Sequence, residues 1–111
     1  MSVETVQKYA DRLSPELLGR VAQVLKLLAH PQRLQVIEFL EQRGKAPVHE
    51  IQERIDLPQA ATSHHLNLMK RAGIVASERA GKEVLYHIDD RRSVSILNCI
   101  RHQREAAYRA G

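Results

Sequence analysis

The chain has no tryptophan, one phenylalanine and three tyrosines among its 111 residues. Since 43% of the residues are apolar, the core must be built from Leu, Ile, Val and Ala, a composition that favours helices. The single cysteine, Cys99, excludes an internal disulfide and, within one protomer, a metal site made mainly of thiolates. No stretch approaches the ~20 apolar residues of a membrane span, and the first residues lack a basic-then-apolar leader pattern. A cytoplasmic location with no membrane partner is expected. The sequence has no phosphate-cradling glycine loop and no nucleophile–base–acid set, and Asp89-Asp90 reads as a helix cap rather than a catalytic carboxylate pair. No enzyme activity is expected and no cofactor is implied.

Acidic residues are the scarcer sign. Seventeen Lys and Arg stand against thirteen Asp and Glu, a net charge of +4. Residues 1–57 balance, so the surplus lies in the second half of the chain. A polyanionic partner fits that distribution.

The length suits one domain, residues 1–111, with no repeat or linker to divide it. Val3, Val6, Ala10 and Leu13 recur at helical spacing. Ser14-Pro15-Glu16 then combines a hydroxyl cap, a first-turn proline and an acid at the positive helix end. The stripe Leu17, Val21, Leu25, Leu28 follows and must stop before Pro31. A helix from about Pro31 to Arg43 buries Leu34, Ile37 and Leu40 and ends at Gly44. Val48, Ile51 and Ile55 mark a short helix, Asp56-Leu57-Pro58 a turn, and residues 58–72 a further helix stopped by Gly73. The period then changes: residues 74–79 and 82–88 read as strands of a hairpin around Ala80-Gly81, with Arg79 and Lys82 flanking its tip. Asp89-Asp90 caps a last helix striped by Ile96, Ile100 and Ala107.

Residues 58–72 carry the chemistry. At 100° per residue, Thr62, Leu66 and Met69 share one face, flanked by Ala61, His65 and Ala72. Ala60, Ser63, His64, Asn67 and Arg71 occupy the other, flanked by Gln59 and Lys70. Small residues near the N-terminus, hydrogen-bonding groups beyond them and cations for phosphate suit a helix lying in a DNA major groove. A solvated helix face ordinarily mixes both signs of charge, whereas Gln59 to Arg71 contains no acid. The expected DNA-facing set is Gln59, Ala60, Thr62, Ser63, His64, His65, Asn67, Lys70 and Arg71, with Arg79 and Lys82 from the hairpin reaching phosphate or minor groove.

The segments from Leu25 to Leu34 (LKLLAHPQRL), from Leu57 to Leu66 (LPQAATSHHL) and from Met69 to Val75 (MKRAGIV), together with Gly81-Lys82 and Tyr86, resemble the ArsR/SmtB family of bacterial repressors over roughly residues 20–90. The resemblance implies a mainly α winged helix-turn-helix fold of about six helices with one two-stranded wing. Residues 47–72 would form the helix-turn-helix, 74–88 the wing, and 1–13 and 90–108 the helices of a homodimer. The terminal apolar stripes suit that dimer independently. The family further implies a pseudo-palindromic double-stranded operator with half-sites about one helical turn, or a multiple, apart, and repression by occupancy until an effector weakens binding. Ser63 and His65 fall on the family's S-x-H-L residues; the helical wheel gives His65 a packing or phosphate-orienting role. Pro58 replaces the serine that commonly caps this helix, which removes one hydroxyl contact to phosphate.

The family's metal sites are poorly matched. Pro47-Val48-His49 stands where arsenic- and cadmium-type members carry a cysteine pair, and the zinc-type positions look like Asp90, Arg92, Gln103 and Ala106. Only Asp90 is a ligand type. His49, His87 and His102 have no second histidine at i+3 or i+4 on their own element. Cys99 on the last helix is a redox candidate only by cross-linking to its twofold mate, which needs Cα atoms within about 7 Å; packing as a small hydrophobe is the favoured role. The effector is unspecified. A metal- or thiol-responsive derepressor, a winged-helix module for protein contacts and an RNA binder remain open on these residues.

Overall fold

A computed structural model describes residues 12–110, with side chains described for 12–99 and for Arg101 and His102. Among these the chain forms α1 (Pro15–Leu28), α2 (Pro31–Arg43), β1 (Lys45–Pro47), α3 (Val48–Ile55), α4 (Gln59–Arg71), β2 (Val75–Ala80), β3 (Glu83–Ile88) and α5 (Arg92–Ala110). The fold is a winged helix-turn-helix, with five helices among the described residues rather than about six. The helix expected over residues 1–13 falls almost wholly on residues outside that range, and Arg12 and Leu13 belong to no helix.

Local chemistry sets most boundaries. The Ser14 hydroxyl accepts from the Leu17 N–H at 3.1 Å and starts α1. Pro31 opens α2 at its first position, and Gly44 closes it at φ 83°, a left-handed value that glycine adopts without a Cβ penalty. Asp56 ends α3 at φ 54°; aspartate tolerates that region better than most residues. Leu57 then packs toward the core and Pro58 opens α4, so three residues turn the chain between the two helices.

The core lies between α2, α3, α4 and the sheet. Val36, Ile37, Leu40, Ala46, Ile51, Leu66, Met69, Ile74 and Val75 are all at most 1% exposed. Leu34, an expected core residue, is only partly buried, and Val36 takes the deeper place. The sheet has three antiparallel strands in the order β1-β3-β2. β1 has only three residues and ends in proline at a sheet edge, where a missing N–H is tolerated. The hairpin turn is Gly81-Lys82, one residue later than expected, because Ala80 pairs with Glu83. Gly81, at φ 64°, supplies the positive φ required at the first central position of a type II′ turn.

α1 is only partly engaged. Val24, Leu27 and Leu28 pack against the core, while Leu18 and Leu25 are half exposed. No helix among the described residues is long and apolar enough to cross a membrane.

Candidate nucleic-acid interface

α4 is held by its buried side and presents the other. Leu66 and Met69 are fully buried, which anchors the helix on α3 and β2. Ala60, His64, Asn67 and Arg71 follow one another at helical spacing along the opposite side, all exposed, with Gln59 and Lys70 exposed beside them and Ser63 half-buried. No acid interrupts this surface between Gln59 and Arg71. No side chain caps the N-terminus of α4, because Pro58 stands at the cap position. The positive end of the helix is therefore open to an anion.

Two residues of the expected set leave this surface. Thr62 is 0% exposed, and its hydroxyl donates back to the Pro58 carbonyl at 3.0 Å. With its methyl in the core and its O–H spent on the helix, it cannot reach a base or phosphate. His65 is 8% exposed and accepts a hydrogen bond from Arg33 Nε at Nδ1, 3.0 Å away. Burial, reinforced by the nearby His30, Arg33 and His64, holds the His65 imidazole below its ordinary pKa, so the neutral ring is favoured. The packing role expected for His65 matches this position, and base contact does not.

The wing adds cations. Arg79 lies near the end of β2 and Lys82 within the turn itself, both exposed. Glu78, the acid beside Arg79, is already compensated: Lys45 on β1 reaches across β3 and binds it at 2.5 Å. That hydrogen bond, with the Lys45 charge behind it, holds the Glu78 carboxyl below its usual pKa.

A family model described as a helix-turn-helix domain matches residues 28–78. Over 93 residues the chain is 36% identical to the HTH-type transcriptional repressor SmtB of Mycobacterium tuberculosis, covering 83% of this chain and 68% of that protein. The chain belongs to the ArsR/SmtB family. Solved structures agree with this membership. The transcriptional repressor PagR of Bacillus anthracis superposes with a TM-score of 0.71 at 29% identity, over 78% of this chain and 99% of that one. The homodimeric winged helix-turn-helix DNA-binding domain Mb0332 of Mycobacterium bovis, a possible ArsR-family regulator, gives 0.74 at 25% identity, over 92% and 95%. As an ArsR/SmtB protein the chain is a helix-turn-helix transcriptional regulator.

Of the positions compared with metal sites, Asp90 is otherwise engaged. Asp90, the one matching ligand type, accepts from Arg92 Nε at 2.9 Å on both oxygens and from an Arg92 terminal nitrogen at 2.5 Å. It also accepts from the Arg92 backbone N–H at 3.0 Å, capping α5. The Arg92 hydrogen bonds hold the Asp90 carboxyl below its usual range, and Arg92 is raised in turn. A guanidinium thus occupies the coordinating oxygens. His49 and His102 are exposed and His87 half-buried, and among the described residues no group of three His, Cys, Asp or Glu could hold a metal ion. Cys99 is exposed on α5 in the single protomer.

Sequence patterning missed two structural parts of this site. Arg33, inside the family-like segment, carried no assigned role because its partners lie on other helices. β1 is too short and too proline-marked for a strand signal, yet it supplies the lysine that compensates Glu78.

Proposed function

We propose that the chain binds a pseudo-palindromic double-stranded DNA operator as a homodimer and represses transcription by occupying it. The observation that carries this is the acid-free outer face of α4. Asn67 and Gln59 offer the paired donor and acceptor that match adenine, and Arg71 the fork that matches guanine. Ala60 and Ser63 keep the approach narrow, while His64 and Lys70 lie beside them. The uncapped first turn of α4 receives a phosphate oxygen, and Arg79 and Lys82 track the neighbouring backbone. In this reading, residues 47–72 form the reading unit and 74–88 the wing.

The half-exposed Leu18 and Leu25 on α1 support the homodimer. Beside them lies an apolar cleft of about 120 Å³ lined by Val21, Val24, Leu25, Arg92 and Ile96, between α1 and α5. A second copy covering this surface would remove large apolar side chains from water. The working compartment would be the cytoplasm, where the DNA is, and no catalytic step is involved.

Selection of bound fragments from genomic DNA, followed by titration of the recovered duplex and a scrambled duplex, tests the proposal. Preference for the recovered duplex by at least about a thousandfold is expected of a specific regulator. Equal binding of both duplexes, or of neither, refutes it.

A further inference from the structure

Arg33 sits in the first turn of α2 and ties three helices together. Its Nε–H donates to His65 Nδ1 on α4 at 3.0 Å, and a terminal N–H donates to the Leu27 carbonyl near the end of α1 at 2.8 Å. His30, at the cap position of α2, meets the His65 ring edge-on with centroids 4.6 Å apart, and its own buried Nδ1 has no partner among the described residues. His64, the next residue on α4, is exposed on the reading face, its ring 6.2 Å from that of His65.

We propose that Arg33 is a positioning residue for DNA reading: through His65 it sets how α4 is seated, and it holds that seat only while His65 is neutral. The chemistry follows from the donor direction. A guanidinium has no acceptor, so the nitrogen facing it must be bare, and the His65 proton must reside on Nε2. Protonation of Nδ1 converts the acceptor into a donor, cancels the hydrogen bond and sets two cations face to face. Among the described residues, the titratable and charged groups facing His65 are His30 and Arg33 from α2 and His64 on its own helix. None is an acid that would compensate the new charge.

His65 lies two residues from both Ser63 and Asn67, so a tilt or rotation of α4 moves every base-facing group together. Base contacts tolerate errors of only about 0.5 Å. Losing the tether should therefore reduce discrimination between sequences more than general affinity for DNA. The burial that lowers the His65 pKa moves this release below the ordinary imidazole range, toward acid.

The inference rests on the DNA reading above, and its test separates the two. The recovered and scrambled duplexes are titrated at pH 7.5 and 5.0 with wild type, His65→Gln and Arg33→Lys, and a thermal midpoint is taken for each variant. Glutamine keeps a carbonyl acceptor for Arg33 but does not titrate. Lysine keeps the charge but cannot span His65 and Leu27. The expected result is a preference that drops at least about threefold on acidification in wild type and stays level in His65→Gln, with Arg33→Lys losing about tenfold at pH 7.5. Equal pH dependence in wild type and His65→Gln, or an Arg33→Lys protein that melts earlier but keeps full preference, overturns the proposal and leaves the DNA reading standing. Failure of wild type to prefer the recovered duplex at pH 7.5 overturns both. Nitrogen-15 NMR of the wild-type imidazoles needs no variant: an unprotonated His65 Nδ1 at pH 7.5 supports the tether, and a protonated one removes it.

Discussion

Replacing Lys82 by alanine should change how DNA affinity responds to salt, whereas replacing Asn67 should not. The exposed cations on the proposed surface are Lys70, Arg71, Arg79 and Lys82, four per protomer and hence about eight in a homodimer. If each neutralises one phosphate, the logarithm of affinity falls with the logarithm of salt at a slope near −7, and affinity drops roughly 10⁴-fold between about 50 and 200 mM. Lys82→Ala removes two of these contacts per dimer, which flattens the slope by nearly ~2 and reduces the loss over the same range about tenfold. Asn67 is uncharged and faces outward on α4, so Asn67→Ala should displace the line in parallel by about 1–3 kcal/mol per half-site. Fluorescence anisotropy of a labelled operator duplex at four or five salt concentrations measures both quantities. Parallel lines for wild type and Lys82→Ala would show that the wing does not touch phosphate. A changed slope for Asn67→Ala would show that the two kinds of contact have been misassigned.

Three further predictions concern the scaffold. Leu66→Ala, at a fully buried position, should lower unfolding stability by about 2–5 kcal/mol in a denaturant titration; a smaller loss would mean that α4 is anchored elsewhere. Thr62→Val should shift stability by no more than about 1 kcal/mol, since the Pro58 carbonyl still accepts the Thr62-position backbone N–H, and DNA affinity should stay unchanged. Reduced affinity with stability intact would return position 62 to the reading face. The Asp90 carboxyl is held below its usual pKa by Arg92, so its contribution is present above the unfolded value near ~4 and is lost as pH falls through the lower folded value. Urea midpoints should therefore decline on acidification below about pH 4, and Asp90→Asn should flatten that part of the profile. An identical decline in the variant would assign it to other carboxylates.

Much of this protein is written in short-range chemistry. Ser14-Pro15, Pro31, Gly44, Pro58 and Gly73 bracket helices because capping, a fixed φ and freedom at positive φ act within a few residues. The bare, acid-free side of α4 was legible for the same reason, as a 3.6-residue period needs no partner to be read. What depended on distant partners was not legible. β1 is a strand only because β3 lies beside it, some forty residues along the chain, and the hairpin tip moved by one residue because cross-strand pairing sets register. The wheel put Thr62 on the apolar side, but only the packed core shows its hydroxyl turned back to Pro58. Arg33 and His65 are 32 residues apart, and neither announces the other. Helical periodicity thus determined which side of α4 can face DNA, while the tertiary structure decided what holds that helix in place, because a hydrogen bond between separate helices exists only once both have packed.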